Sequence, residues 1–283
     1  CRTLNQMKGR VRAKINYCFT RSDYQIFLYD EVAKRLNERL DVITIEPNVV
    51  VASGFGEDCL EKIFPGASRI TRIDFAHSRM LVRKIKSRFR LPWGPKLGYL
   101  CGDLSALPLS SASVDLFYSN LDIPFFDGCD ELDQLLTEVY RVLKPGGLFI
   151  FSSLGPDTLK ELRPIEGMRG LRLCRHMDMH DLGDRIVECG FADPVMEMEE
   201  LKLTYSNVLA LLRDARAHGS ESFDIDDQKG LWGKAELRRL SEYSKSKNNG
   251  QITATTELVF GHAWLAPEKT TSKGKKIIDI KAV

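Results

Sequence analysis

The sequence predicts an α/β fold, a doubly wound and mainly parallel sheet of seven strands with helices on both faces. Short apolar runs typical of buried strands alternate with amphipathic stretches typical of helices over most of the 283 residues. The first apolar run also leads directly into a glycine turn at 54–56, as a strand does before the crossover to its parallel neighbour. Together the two observations favour strands that repeat in the same direction.

The predicted elements follow a regular order. A helix is expected from about Asp23 to Leu40, with Val32, Leu36 and Leu40 on one face. The seven strands are expected in NVVVASGFG, SRITRIDF, LGYLCGD, VDLFYSN, LFIFSSLG, MEELKLTY and ITATTELVFGHAWLA. The remaining helices are expected in SRMLVRKIKSRF, in ELDQLLTEVYRVL, which KPGG ends, and in HDLGDRIVECGF, with Asp178 as its N-cap.

These elements divide the chain into three parts. An N-terminal helical segment covers 1–45, the main α/β domain covers 46–265, and a tail covers 266–283. A mostly helical insertion is expected at about 205–248, before the last strand. The basic head of the chain leaves a transit peptide open, but the helix that follows without a linker favours a folded element. The chain opens with Cys1 and not with Met, so further residues are expected ahead of it.

Composition argues against several classes of protein. The formal net charge of +2 is too balanced for a general nucleic-acid binder. No apolar run approaches the roughly 18 residues of a membrane span. The 7 cysteines are odd in number, scattered and without a CxxC pair, which favours reduced thiols over disulfides or a zinc site. We therefore expect a cytoplasmic protein without a membrane or nucleic-acid partner.

The loop after the first strand is the first candidate binding element. Ligands of parallel sheets bind beyond the carboxyl ends of the strands. Gly54, Phe55 and Gly56 occupy that position, and glycine lets the backbone approach a ligand where a Cβ would clash. Because any strand-to-helix turn can hold two glycines, this loop indicates a binding site only in combination with the ends of the neighbouring strands.

An acidic residue ends the second strand. Asp74, with Phe75 after it, follows the glycine loop by about 18 residues, a spacing typical of the acid that binds ribose hydroxyls. The alternative is that Asp74 caps a helix that begins near Ser78. The ribose role is the favoured interpretation.

Two further strand ends are expected at the same cleft. Asp103, next to Leu104, follows the third strand, and its carboxylate can accept a hydrogen bond from an adenine amino group. A turn-forming aspartate is the alternative for Asp103. Asn120 and Leu121 end the fourth strand and are expected to face the cleft.

These strand ends resemble those of the class I methyltransferases, and the resemblance implies S-adenosylmethionine as the cofactor. The residues implied for cofactor binding are Gly54, Phe55, Gly56, Asp74, Phe75, Asp103, Leu104, Asn120 and Leu121. The family typically has an acid where Ala52 stands and a third glycine where Asp58 stands. Asp58 near a helix N-terminus can repel the cofactor's carboxylate, which implies weakened cofactor binding or its rescue by other contacts.

Five longer segments agree in order and spacing with one narrower family. They are EVYRVLKPGGLFIFSSLGPDTLKELR, DMHDLGDRIVECGFADPVMEMEELKLTY, LLRDARAHG, GLWG and ATTELVFGHAW. They resemble the malonyl-acyl-carrier-protein O-methyltransferases of biotin synthesis, over nearly the whole chain. At the head, the family's F-x-R-A-A…Y-D pattern fits only approximately, around Phe19, Arg21 and Tyr24. The resemblance implies methyl transfer to the free carboxylate of a malonyl group carried by acyl-carrier protein or by coenzyme A.

This chemistry suggests two residues for the substrate site. A carboxylate with a pKa of about 4 is already ionised at neutral pH, so its methylation requires no general base. Arg163, just past the fifth strand, can hold one carboxylate oxygen while the other attacks. An ordinary helix-surface salt bridge is the alternative for Arg163. Tyr24 is expected to close the pocket from the N-terminal helix.

Other interpretations remain open from the sequence. A complex I assembly factor that acts as an arginine hydroxylase resembles the same family, and Ala52 and Asp58 suggest a non-catalytic relative with weakened cofactor binding. No metal site is expected, because His176 and His180 have no third ligand nearby. One basic run is either a solvated face or a docking site for an acidic carrier protein: Arg79, Arg83, Lys84, Lys86, Arg88 and Arg90.

Overall fold

The computed structural model describes residues 27–54, 60–74, 94–126, 129–165, 173–220, 238, 241–242 and 251–267. Several sequence-based predictions lie outside these residues. They concern Tyr24, Phe55, Gly56, Asp58, Phe75, the helix at 78–89, the GLWG segment, most of the insertion at 205–248 and nearly all of the tail at 266–283.

Seven strands form one sheet in the order β3-β2-β1-β4-β5-β7-β6. The strands are β1 (Val49–Gly54), β2 (Arg69–Asp74), β3 (Lys96–Cys101), β4 (Val114–Asn120), β5 (Leu143–Leu154), β6 (Ala192–Tyr205) and β7 (Ile252–Trp264). The first five strands are parallel to one another, whereas β7 is antiparallel to both β5 and β6. The predicted fold class, a mainly parallel seven-stranded sheet, is confirmed.

Helices cover both faces of this sheet. They are α1 (Phe27–Leu40), α2 (Leu60–Ile63), α3 (Cys129–Val142), α4 (Met179–Glu188) and α5 (Val208–Ala217), with 3-10 turns at Ile123–Phe125 and Lys160–Ile165. One core lies between α1 and the sheet, where Val32, Leu36 and Leu40 are buried on the predicted face. The second core lies on the opposite face, under α3 and α4. Asp178 caps α4 as predicted, because its Oδ1 accepts a hydrogen bond from the His180 amide at 2.8 Å.

Two strands begin earlier than the sequence predicts. The helix before KPGG ends at Val142, and β5 starts at Leu143 because Leu143 pairs with Val114 before a shift in register. The KPGG residues form the irregular part of this strand, with Gly146 at φ +80°. β6 begins at Ala192 and not at Met198, because β7 pairs with it along its whole length. Strand pairing thus overrides the local signals that place the strand starts.

The described helices are all too short or too polar to cross a lipid bilayer.

Candidate active site

The carboxyl ends of four neighbouring strands bring together the predicted cofactor residues that the structure describes. Gly54 at the end of β1 pairs in register with Asn120 at the end of β4. On the other side, Asp74 at the end of β2 pairs with Cys101, and its carbonyl accepts a hydrogen bond from the Gly102 amide at 3.1 Å. The register of the parallel sheet therefore places Gly54 between the ends of β2 and β4.

Gly54 is required by the backbone at this point. Its φ is +87°, a conformation that side chains disfavour. A Cβ on Gly54 would lie 2.1 Å from the carbonyl oxygen of Asn120, which is backbone and cannot move away cheaply. The close approach of β1 to β4 thus depends on a hydrogen atom at this position.

Asp74 is nearly buried at the end of β2, with 6% of its surface exposed. Burial raises the pKa of the neighbouring Cys101 thiol, and the negative charge of Asp74 adds to that increase. The carboxylate therefore stands at the edge where the sequence expects a ribose-binding acid. The helix expected from Ser78 lies outside the described residues, so the capping alternative stays a prediction.

Asp103 forms a turn immediately after β3. Its Oδ1 accepts hydrogen bonds from the Ser105 amide at 2.9 Å and from the Ser105 hydroxyl at 2.8 Å. The turn alternative considered for Asp103 is therefore realised by one of its oxygens. Leu104 is buried with Val51 and Ile73 in the core under α3. An adenine contact at these two residues stays a prediction.

Asn120 uses its side chain inside the protein. Its Nδ2 donates to the carbonyl oxygen of Tyr29 in α1 at 3.0 Å, and its Oδ1 accepts from the Ser152 hydroxyl at 2.7 Å. The sequence predicts that Asn120 faces the cleft, whereas this buried amide joins α1 to β5. Leu121 follows at φ +55°, a conformation that is unusual for a residue with a side chain and that clusters at functional sites.

Arg163 lies in the 3-10 turn after β5 and is half-buried. It forms neither a hydrogen bond nor an ion pair with any residue that the structure describes. A surface salt bridge, the alternative considered from the sequence, is therefore not formed with that part of the chain. Burial lowers the pKa of His176 to about 4, and the positive charge of Arg163 adds to the decrease. Arg163 thus lies near a neutral imidazole and keeps its charge available for an anion.

Two carboxylates hold the Arg163 segment against β7. Glu161 accepts hydrogen bonds from the Thr255 amide at 3.1 and 3.0 Å, one to each of its oxygens, and from the Thr255 hydroxyl. Glu257 accepts a hydrogen bond from the Asp157 amide, and burial raises the pKa of Glu257. The position of Arg163 is therefore fixed by the last strand and not only by β5.

A chain of three polar side chains lies near Arg163; His218 and Ser220 are buried, and His176 is half-buried. The Ser220 hydroxyl is 2.8 Å from His176 Nε2 and 3.0 Å from His218 Nδ1. Burial also lowers the pKa of His218, to about 3, so both imidazoles are neutral at pH 7. Sequence reasoning missed this chain, because Ser220 and His218 lie 44 and 42 residues beyond His176 and no spacing rule links them. In the described part of the chain no group of His, Cys, Asp or Glu is arranged to hold a metal ion.

Sequence reasoning also missed a buried ion pair beside the glycine loop. Arg72 in β2 is 2% exposed, and its Nη2 lies 2.6 Å from Glu61 Oε1 at the start of α2. Ala52 is the register partner of Arg72 in β1. A small side chain at position 52 therefore stands beside the large one on β2.

Comparison with known proteins finds that this chain is similar to methyltransferases. A family profile described as a methyltransferase domain matches residues 50–151. The chain is 38% identical to a malonyl-[acyl-carrier protein] O-methyltransferase of Gallionella capsiferriformans, over 90% of both chains. It is 36% identical to the protein of that name from Methylovorus sp., over 91% of this chain and 88% of the relative. For Laribacter hongkongensis the identity is 35%, over 96% and 95%.

Solved structures share the fold at low sequence identity. The YcgJ protein from Bacillus subtilis is 14% identical with a TM-score of 0.56, over 83% of this chain and 99% of that one. A SAM-dependent methyltransferase from Methanosarcina mazei is 16% identical with a TM-score of 0.51, over 81% and 97%. Phosphoethanolamine N-methyltransferase 2 of Haemonchus contortus, in complex with S-adenosyl-L-methionine, is 15% identical with a TM-score of 0.50, over 88% and 59%.

Proposed function

The chain belongs to the malonyl-[acyl-carrier protein] O-methyltransferase family, and from this membership we propose that it transfers a methyl group from S-adenosylmethionine to the free carboxylate of malonyl-acyl-carrier protein. This reaction would be an early step of biotin synthesis. The names of the relatives support a methyltransferase over the hydroxylase and the non-catalytic protein considered from the sequence.

The observation that carries the substrate proposal is the state of Arg163. A half-buried guanidinium without an acidic partner among the described residues is suited to bind an anion that comes from outside. Its segment follows β5, at the same edge of the sheet as Gly54 and Asp74. A malonyl thioester ends in a carboxylate, whereas an acetyl thioester has no such charge, so Arg163 can discriminate between them.

The strand ends fit S-adenosylmethionine as the cofactor. Gly54 lets β1 lie close to the backbone of β4, where any side chain would clash with the Asn120 carbonyl group, and Asp74 offers a carboxylate for ribose hydroxyls. Leu121 and the backbone of Asn120 complete this edge on the β4 side, and Asp103 does so beyond β3. When bound, the cofactor supplies an electrophilic methyl group.

The protein's own part in the reaction is orientation and not proton transfer. The malonyl carboxylate is ionised at neutral pH and needs no base. We propose that Arg163 holds one of its oxygens so that the other points at the methyl group, which contributes through orientation. Tyr24 is proposed to close the pocket and exclude water. Both His176 and His218 are neutral, so they add no competing positive charge beside Arg163.

We propose the carrier protein, and not coenzyme A, as the natural bearer of the malonyl group, because the relatives carry that carrier in their names. We further propose that the reaction takes place in the cytoplasm. The thiols of Cys101, Cys174 and Cys189 are not in disulfides, which suits a reducing compartment.

The test is direct incubation of the purified protein with S-adenosylmethionine labelled in its methyl group. Malonyl-acyl-carrier protein, malonyl-coenzyme A and acetyl-acyl-carrier protein are supplied separately, and each product is measured by intact mass. We expect the label on malonyl-acyl-carrier protein, with slower transfer to malonyl-coenzyme A and none to the acetyl form. Equal labelling of the malonyl and acetyl forms would contradict the carboxylate as acceptor. Faster transfer to malonyl-coenzyme A would contradict the choice of carrier.

A further inference from the structure

The ion pair between Arg72 and Glu61 has no part in the proposed chemistry, yet it lies beside the cofactor residues. Arginine is rarely buried as deeply as Arg72, which is 2% exposed, unless a partner balances its charge. Glu61 provides that partner at 2.6 Å and is itself only 12% exposed at its side chain. The pair is therefore a buried ion pair of the protein interior and not a surface salt bridge.

The register of the sheet gives the pair its location. Arg72 pairs with Ala52, and side chains of register partners project from the same face of a sheet. Two residues further on, β1 ends at Gly54 and β2 ends at Asp74. Arg72 thus lies two residues before the carboxyl end of β2, on the face of the sheet that α1 also covers.

Glu61 connects this point to the far end of the glycine loop. The loop at 55–59 leaves β1 after Gly54 and enters α2 at Leu60, which is fully buried. Glu61 is the next residue, so its bond to Arg72 joins the end of the loop to β2. Strand pairing therefore fixes Gly54 before this stretch, and the burial of Leu60 and the ion pair fix the start of α2 after it.

We propose that Arg72 and Glu61 are positioning residues of the cofactor site, whose ion pair holds the start of α2, where the glycine loop ends, at a fixed spacing from Asp74. A site formed before its ligand arrives loses less entropy on binding, so the pair increases affinity without touching the cofactor. The inference rests on the part of the proposed function that places S-adenosylmethionine at these strand ends. It is independent of the methyl acceptor.

The contribution of this ion pair to the stability of the fold can be measured separately from its contribution to cofactor binding. Removal of one partner from a buried ion pair leaves an uncompensated charge and destabilises the fold. Replacement of both partners by apolar side chains of similar volume is often neutral for stability. A double apolar variant therefore restores the fold but not the directional bond between the start of α2 and β2.

The experiment compares Arg72→Met, the double variant Arg72→Met/Glu61→Met and the control Ile186→Ala. Ile186 is fully buried in α4, which packs on the edge strand β6, far along the sheet from β1 and β2. Thermal unfolding is followed by circular dichroism. Affinity for S-adenosylmethionine and S-adenosylhomocysteine is measured by titration calorimetry at a temperature where every variant is folded.

We expect both Arg72 variants to bind the cofactor at least about tenfold more weakly than the wild type. The double variant should recover most of the unfolding temperature that Arg72→Met loses. Ile186→Ala should lose unfolding temperature and still bind within about twofold of the wild type.

Two outcomes would overturn the proposal. One is wild-type affinity in either Arg72 variant, and the other is an affinity loss in Ile186→Ala as large as that in Arg72→Met. If the double variant does not recover its stability, the proposal is decided by the affinity loss of Arg72→Met compared with that of Ile186→Ala. A wild-type protein that binds the cofactor but does not methylate malonyl-acyl-carrier protein would remove the proposed substrate and leave this inference intact.

Discussion

The candidate site has two halves, one held mainly by backbone geometry and the other held mainly by hydrogen bonds of side chains. At the ends of β1, β2 and β4 the backbone sets the geometry, with Gly54 at φ +87° and Leu121 at φ +55° next to paired strands. After β5 the geometry is set by side chains that reach distant segments. Glu161 bonds to Thr255, and His176 is joined to His218 through Ser220.

The half held by the backbone can be common to proteins with this fold, whereas the half held by side chains can be specific to one substrate. A backbone arrangement at parallel strand ends comes with the sheet itself and can serve one common cofactor. Side-chain bonds between distant segments must be specified residue by residue, and they can place a single cation for a single kind of acceptor. We therefore expect changes in the first half to alter cofactor binding, and changes in the second half to alter turnover.

Gly54→Ala should produce the largest effect, in the backbone half. The added Cβ would lie 2.1 Å from the Asn120 carbonyl oxygen and would also force a disfavoured φ. We expect the free energy of unfolding to fall by about 3 kcal/mol or more, with loss of measurable cofactor binding. Urea unfolding and titration calorimetry with S-adenosylmethionine measure the two quantities.

Gly146→Ala is the matched control for that change. Gly146 has a similar φ of +80°, but an added Cβ would have no atom within 4 Å. It should cost only about 1 kcal/mol, from the backbone conformation alone, and leave cofactor binding unchanged. Equal costs at the two glycines would show that the close approach to Asn120 is not what makes position 54 sensitive.

Arg163→Ala should distinguish the two halves of the site most clearly, because it should lower turnover without changing cofactor affinity. We expect turnover of malonyl-acyl-carrier protein to fall by roughly tenfold to a hundredfold, the equivalent of about 1.5–3 kcal/mol for a hydrogen bond to a charged group. Arg163→Lys should also be slow, because lysine keeps the charge without the planar fork. Cofactor affinity should hold in both variants. Steady-state kinetics and cofactor titration are compared with Arg69→Ala, an exposed arginine at the start of β2.

Normal turnover in Arg163→Ala would remove this residue from the site. The wild-type pH profile adds a second check. Because no general base is required, turnover should show little bell-shaped dependence between about pH 6 and 8.

Asp74→Ala should affect the cofactor half alone. If the carboxylate binds ribose hydroxyls, cofactor affinity should fall by roughly 1.5–3 kcal/mol, while the maximal rate at saturating cofactor changes little. Asp74→Asn distinguishes the alternative, because asparagine caps a helix about as well as aspartate does. Weak binding in both variants supports the ribose role. Weak binding in the alanine variant alone would assign Asp74 to capping.

We also predict a loss of stability in mild acid that arises in the half of the site held by side chains. The pKa of His176 is lowered to about 4 and that of His218 to about 3, whereas an unfolded histidine titrates at about 6.5. Below pH 6.5 the unfolded chain therefore binds more protons than the folded one, and stability falls as the pH falls. We expect a loss of about 2 kcal/mol for each of the two histidines between pH 7 and pH 5.

Urea unfolding across this pH range measures the effect. His176→Gln should reduce the loss, whereas His180→Gln, at an exposed position in α4, should leave it unchanged. A pH dependence that is identical in all three proteins would place its origin outside the chain of His176, Ser220 and His218.

The sequence predicts the backbone half better than the half built of side chains, for a physical reason. Apolar alternation locates strands, and a strand's end also locates Gly54 and Asp74 at the edge of the sheet. The bonds of the other half join residues that are 44 or 94 positions apart, and local periodicity carries no record of such pairs. Asn120 illustrates the limit, because its place at the end of β4 is predictable but its bond to Tyr29 is not.

The place of β7 in the sheet has a consequence for how the protein is made. β7 follows the other six strands of the sheet in sequence, yet it lies between β5 and β6 and supplies Thr255 to Glu161. While a ribosome is still adding residues before 252, the strands that end at Gly54, Asp74 and Asn120 can already pair. β5 has an open edge at that stage, and the segment that carries Arg163 has no strand to hold it. The nascent chain should therefore acquire its cofactor half first and its substrate half only after residues 252–264 have been added.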